Sequence, residues 1–215
     1  MAYDFDKIAV TYDRLNCMMT LGMDRYWRKR AVRGLHGNVL DVACGTGDMV
    51  VSLMERGCTV TGVDISEEML AIAKRKVESG KWEVADAENL PFKDESFDAV
   101  TCAFGVRNFV HLEQGLHEMQ RVLKPDGRMV ILELATPDCT IIKPFYNLYT
   151  KHIIPWFGQQ IAGSREAYTY LPESIERFPK GKAFLKLLGD SATERKLTFG
   201  VCRMYTAVKQ RGRLV

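Results

Sequence analysis

The chain has 215 residues, 47% of them apolar and 27% charged, with a formal net charge of +3. That length suits one domain with a sizeable core, and so small a charge excess gives no reason to expect a nucleic-acid partner. No apolar run reaches the roughly 18–20 residues a membrane-crossing helix needs. The start, MAYDFDKIAVTYD, lacks the apolar stretch of an export signal, so a cytoplasmic protein is expected.

In chain order, residues 1–36 read as an N-terminal helical cap. Asn38–Ala43 (NVLDVA) is a buried strand ending in a glycine turn, and Asp48–Glu55 follows with helical apolar spacing. Cys58–Val63 is a second strand, closed by Asp64, and Ser66 is placed to cap a helix over Glu67–Val77. Trp82–Ala85 is a third strand, followed by Asp86; Asn89–Ser96 is a loop, and Phe97–Phe104 is the fourth strand. A helix over His111–Leu123 stops before the turn signal Pro125-Asp126-Gly127, and Arg128–Leu134 is the fifth strand. This alternation implies an α/β fold: a mostly parallel sheet with helices on both faces.

The remainder differs in character. Residues 137–181 are rich in aromatics and prolines and read as an insertion covering a ligand. Lys182–Leu188 is helical, and Lys196–Phe199 and Val201–Val208 form a hairpin around Gly200 that adds an antiparallel strand. One domain over 1–215 is expected: cap (1–36), cofactor-binding core (37–136), insertion (137–181), and C-terminal helix with hairpin (182–215).

The six cysteines form no C-x-x-C pair, so no metal is assigned. The chemistry instead gathers at strand ends, where open parallel sheets bind their ligands. Gly45 and Gly47 let the backbone approach a ligand closely, with Thr46 between them. A dinucleotide is disfavoured. The third small residue of that fingerprint falls on Val50, and Asp41 and Asp48 would repel a pyrophosphate at the helix N-terminus. The same carboxylates suit a ligand bearing an ammonium and a sulfonium but no phosphate, which describes S-adenosylmethionine. Asp64 is placed to accept from both ribose hydroxyls, with Ile65 beside it. Asp86 is placed to accept from the adenine amino group, with the Ala87 backbone nearby. Each acid has a plainer role open to it, as a helix cap or turn residue.

The segments VLDVACGTGD, GVDIS, ADAENLPF, FDAVTCAFGVRN and VLKPDGRMVILE resemble the class I S-adenosylmethionine-dependent methyltransferases over roughly residues 38–136. That resemblance implies a Rossmann-like fold with a seven-stranded sheet whose last strand is antiparallel. Further segments resemble the ubiquinone/menaquinone biosynthesis C-methyltransferase family over nearly the whole chain. They are Phe104–Asn108 (FGVRN), Tyr170–Pro179 (YLPESIERFP), and Phe5, Ile8, Ala9, Tyr12, Asp13, Asn16, Gly22 and Trp27-Arg28-Lys29. The family methylates a ring carbon of a polyprenylated benzoquinol or naphthoquinol. Ala103 departs from its pattern, since many members carry there a serine that can contact the cofactor.

A carbon nucleophile of this kind needs a proton acceptor or phenolate stabiliser, and close alignment with the methyl group. Arg107 and Asn108, leaving the correct end of the fourth strand, are the catalytic candidates; the plainer alternatives are an ion pair for Arg107 and a turn for Asn108. His111, Tyr146 and Tyr149 are alternative bases. In the insertion Phe145, Tyr146, Tyr149 and Trp156 suit an apolar substrate, or simply pack the lid on the core. Arg25, Arg28, Lys29, Arg30 and Arg33 form a basic cluster that suits either peripheral contact with anionic lipid or a solvated helix face. Oligomeric state is left open, a homodimer included. Two other readings stand beside the quinol one: methylation of a different small molecule, and a non-catalytic protein that only binds the cofactor.

Overall fold

The computed structural model describes residues 9–150 and 166–211. Seven strands form one sheet: β1 (Asn38–Val42), β2 (Thr59–Asp64), β3 (Lys81–Val84), β4 (Phe97–Ala103), β5 (Leu123–Leu134), β6 (Thr193–Leu197) and β7 (Cys202–Val208). Their spatial order is β3-β2-β1-β4-β5-β7-β6. The first five pair in parallel, and β7 lies antiparallel between β5 and β6. The expected antiparallel last strand is therefore present, and order reverses between β1 and β4.

Both faces of the central strands are covered, which explains their largely apolar sequences. Side chains alternate across the sheet. Leu40, Val42, Val100, Cys102, Met129 and Ile131 enter one core with Phe184 and Tyr205. Val39, Val60, Ala99, Val130 and Leu132 enter the opposite core with Trp27, Val50 and Leu70. The first core is closed by α5 (Leu112–Arg121) and α8 (Lys182–Leu188); the second by α2 (Met23–Ala31), α3 (Asp48–Met54) and α4 (Glu67–Lys76). Helix α1 (Ala9–Met19) precedes them, and α6 (Ile142–Leu148) and α7 (Glu166–Arg177) belong to the region after β5. Ser66 caps α4 as expected, its Oγ accepting from the Met69 N–H at 3.0 Å.

Two local expectations shift. The Pro125-Asp126-Gly127 signal does not separate helix from strand. Strand β5 already starts at Leu123, and these residues form an irregularity where pairing with β4 jumps from Phe97↔Leu123 to Ala99↔Arg128. Asp126 takes a positive φ of 64° there. In the hairpin, β6 ends at Leu197 rather than Phe199, because Thr198–Gly200 coil into a 3-10 turn. The Trp27 indole N–H donates to Thr198 Oγ1 at 2.8 Å, fastening this turn to α2.

Candidate active site

The C-terminal ends of β1, β2, β3 and β4 open onto a solvent-accessible cleft of about 160 Å³. Its floor is the turn after β1. Ala43 and Gly45 have φ of 52° and 53°, and Gly47 has 84°, so this segment turns through left-handed backbone. A Cβ on Gly47 would lie 3.0 Å from the Trp82 ring and 3.2 Å from the Ala73 Cβ, so the position is sterically closed. A Cβ on Gly45 would meet only the Tyr12 ring, at 3.9 Å, because its free side faces the cleft.

Asp64 braces that floor while lining the cleft. Its Oδ2 accepts from the Gly45 N–H at 2.7 Å and its Oδ1 from the Ser66 N–H at 3.0 Å. Exposed Ile65 follows it, then Asp86 and Ala87 beyond β3, all on the cleft wall; Asp86 Oδ1 accepts from the Glu88 N–H at 2.9 Å. Met69, Ala103, Phe109 and Val110 complete an apolar lining. Of the expected cofactor residues, then, Gly45, Asp64, Ile65, Asp86 and Ala87 face the cleft.

Asp41, Thr46 and Gly47 support it instead. Asp41 is buried between β1 and β4, where the Thr101 hydroxyl donates to its Oδ1 at 2.7 Å and its Oδ2 has no hydrogen-bond partner. Burial pushes its pKa up to about 7, against the Thr101 hydrogen bond and the Arg28 charge. The Thr46 hydroxyl donates to Asp13 Oδ1 on α1. Lys76 Nζ reaches Asp13 Oδ2 at 2.7 Å and Asp48 Oδ1 at 2.6 Å, and Arg28 lies 3.7 Å from Asp48 Oδ2. Asp48 is therefore paired with two cations, each shared with another acid, and fastens the loop.

Phe104 has a φ of 63°, and Val106–Asn108 form a 3-10 turn after β4. Gly105 is required by close packing. A Cβ there would fall 2.7 Å from the Ala43 Cβ and 2.8 Å from Cys102 Sγ. This turn puts Asn108 on the cleft wall and sends Arg107 inward. Arg107 Nη1 bridges Glu133 Oε2 at 2.9 Å and donates to the Phe104 carbonyl; the two ionic side chains are only 7% and 1% exposed. The ion pair left open for Arg107 therefore exists. Burial still holds the Glu133 pKa above its ordinary value despite the guanidinium.

A second, smaller cavity of about 80 Å³ lies among α1, α2, α6 and α7. Tyr146, Tyr149, Met19, Trp27, Pro172 and Ile175 are among its walls. The Tyr149 hydroxyl donates to the Met18 carbonyl at 2.8 Å. Burial pushes the Tyr146 pKa up to about 12, with Arg107 pulling it down. Arg107 also lowers that of Tyr12, which burial raises. The guanidinium thus acts on a ring in each cavity. Phe145 does not join this wall; it is exposed. Trp156 lies outside the described residues. His111, an alternative base, is exposed and engages Glu88 through its backbone N–H at 2.7 Å and Nδ1 at 2.8 Å. Burial of Glu88 works against this, but the hydrogen bonds from His111 hold its pKa below the usual value.

Tyr12, Met69, Lys76 and Glu133 were not assigned to the site from sequence. Tyr12 had a signal in the family resemblance, but nothing local placed it over Gly45. Glu133 had one too, an acid inside an apolar strand.

A Gly-turn with free space above it, a carboxylate at each of the next two strand ends, and an apolar wall fit S-adenosylmethionine. Sheet and site together define a class I, S-adenosylmethionine-dependent methyltransferase. The ubiE/COQ5 methyltransferase family model matches residues 2–209, and the chain belongs to that family. A demethylmenaquinone methyltransferase of Bacteroides fragilis is 42% identical over 95% of this chain and 90% of its own. One of Thermus thermophilus is 44% identical over 94% and 97%. A ubiquinone/menaquinone biosynthesis C-methyltransferase of Geotalea daltonii is 41% identical over 95% and 94%. Among solved structures, a methyltransferase of Thermotoga maritima superposes with a TM-score of 0.67 at 18% identity, over 96% of this chain and 98% of its own, a likeness of fold.

Proposed function

We propose that the chain transfers a methyl group from S-adenosylmethionine to a ring carbon of a polyprenylated quinol, either demethylmenaquinol or a ubiquinone precursor. The observation that carries this reading is a second cavity besides the cofactor cleft, whose walls include Met19, Trp27, Tyr146, Tyr149, Pro172 and Ile175 alongside polar Thr20, Thr136, Asn147, Thr150 and Glu176. The names of the relatives support the same substrate class.

Bound S-adenosylmethionine supplies an electrophilic methyl group. In this reading Asp64 accepts from the ribose hydroxyls, Asp86 from the adenine amino group, and Ile65 packs on the base. Asp41, when ionised, adds counter-charge from beneath. Asn108 orients a substrate hydroxyl or a water, and Arg107 stabilises the phenolate formed when a quinol hydroxyl loses its proton. Tyr146 and Tyr149 hold the apolar acceptor. A raised pKa makes Tyr146 a poor base at neutral pH, so its contribution is packing and donation rather than proton removal. The ring carbon would take the methyl group of the bound cofactor, leaving S-adenosylhomocysteine, and the ring proton would pass to a water held by Asn108 as aromaticity returns. An apolar acceptor of this kind resides in a bilayer, so peripheral membrane contact belongs to the reading. Among the described residues no helix is long and apolar enough to cross a membrane.

Product analysis tests it. Purified protein with S-adenosylmethionine is given demethylmenaquinol, a demethylated benzoquinol, or no acceptor. A methylated quinol from one acceptor is expected. Cofactor binding without turnover of either acceptor would sink the reading. Arg107→Lys keeps a charge beside Glu133 but loses the fork, and is expected to lower kcat about 100-fold with cofactor affinity within about twofold of wild type.

A further inference from the structure

Helix α6 is amphipathic in an unexpected sense. Tyr146, Asn147, Tyr149 and Thr150 face the second cavity. Ile141, Phe145 and Leu148 on the other side are 73%, 69% and 57% exposed. Pro144, between them, is exposed as well. Positions 141, 144, 145 and 148 follow the spacing of one helical face, and all four are apolar. Single exposed apolar residues are commonplace, but a whole face of them is not.

The patch continues beyond α6. The Tyr149–Met18 hydrogen bond holds the end of α6 against the end of α1, and Met19 and Thr20 share the cavity wall with the two tyrosines. The next residue, Leu21, is 77% exposed and takes a φ of 51°, a costly conformation for leucine. Beyond it, α2 presents Arg25, Tyr26 and Lys29 to solvent, and Arg33 follows; Lys143 flanks the α6 face. Arg28 drops out of the expected basic cluster, because it is buried against Asp24. What remains is an exposed apolar face with Lys143 on its own helix, and Arg25 and Lys29 exposed on the helix that follows Leu21.

We infer that the outward face of α6 and Leu21 insert into the surface of an anionic lipid bilayer, with Arg25, Lys29 and Lys143 meeting the headgroups. Apolar side chains backed by basic ones are the chemistry of interfacial insertion. A neutral protein partner would not call for the cations. The inference rests on the proposed quinol substrate and deepens it. The helix that enters the membrane surface also walls the cavity offered to the quinol, so the acceptor passes from bilayer to cavity along α6.

Flotation with phosphatidylcholine vesicles, with and without phosphatidylglycerol, tests the surface. Wild-type protein is expected to bind the anionic vesicles, less so at high salt. The Phe145→Glu/Leu148→Glu double variant is expected to bind about tenfold less, and Arg25→Glu/Lys29→Glu to lose the preference for phosphatidylglycerol. Both variants are expected to retain wild-type turnover of a water-soluble quinol lacking the prenyl tail, which also reports that they fold. Turnover of the polyprenylated quinol in vesicles is expected to fall about tenfold. Vesicle binding by the Phe145→Glu/Leu148→Glu variant equal to wild type would overturn the inference, as would a wild type that ignores vesicles. Loss of a dimer in that variant by sedimentation, without change in flotation, would reassign the face to self-association. Wild-type protein that binds vesicles but methylates neither quinol would leave the surface standing and remove the substrate reading instead.

Discussion

Asp41 shows how a site residue is changed by its surroundings. By sequence it is one of several acids around a glycine turn; in the fold it is sealed beneath that turn, and burial carries its pKa from 3.8 to about 7. The folded protein therefore holds this proton more tightly than the unfolded chain does. Between about pH 4 and pH 7 the folded state binds more protons, so stability falls as pH rises, and the penalty is complete above pH 7. Asp41→Asn removes this dependence. Urea unfolding without cofactor is expected to give similar stabilities for variant and wild type near pH 4. The variant gains at most about 1.4 kcal/mol per pH unit from there up to about pH 7. Glu133 shifts in the same direction, so the slope belongs to Asp41 only as the difference between variant and wild type. Equal slopes for the two proteins would mean that Asp41 is charged in the folded state at all these pH values.

Arg107 carries a related lesson. Its position after β4 was legible, and so were the glycine and asparagine around it, but its partner stands 26 residues away on another strand. Removing one member of a buried pair leaves the other charge stranded, at a cost of about 3–5 kcal/mol. Alanine at this position therefore confounds catalysis with folding, and the lysine variant is the informative one.

At the scale of elements, α1 and α4 form a clamp on the glycine turn. Lys76, in the last turn of α4, contacts Asp13 on α1, Thr46 in the turn and Asp48 at the start of α3. An isolated exposed ion pair contributes about 0–1 kcal/mol, but three acceptors share this one ammonium. The clamp also holds Tyr12 over Gly45. Lys76→Met is expected to weaken S-adenosylmethionine binding about tenfold by calorimetry while Tm moves by only a few degrees. Unchanged affinity would show that α1 settles on the turn without Lys76. The elements themselves were largely readable, because β1, β2 and β4 are apolar on both faces and each ends in a polar or glycine signal. The Pro125–Gly127 irregularity was not. Its residues mark a turn in isolation, and only pairing with β4 decides that the strand runs on through it.

For the whole molecule, the decisive feature is β7. It pairs along β5 from Arg128↔Val208 to Leu134↔Cys202, although the strands lie some 70 residues apart in the chain. Forming this pair requires closing a long loop, so it belongs with the last, global ordering of the sheet. Amide exchange in β5 and β7 is expected to proceed only through global unfolding. Amides of β3, an exposed edge strand, are expected to exchange through smaller openings. Matching rates for β3 and β7 would contradict that order. Trp27, donating to Thr198, ties the N-terminal helices to the same hairpin, so both ends of the chain close on the second core.

The sequence by itself determined the strand-helix alternation, the backbone turn that offers Gly45 to a ligand, and the acids at the ends of β2 and β3. Each depends on neighbours within a few residues: apolar period, glycine's access to positive φ, and capping geometry. Tertiary structure decided which acids line the cleft wall and which lie beneath it, that Asp48 is a fastener, that Arg107 is paired, and that Phe145 faces outward. Those outcomes depend on burial and on charges brought together from distant parts of the chain, which no local pattern encodes.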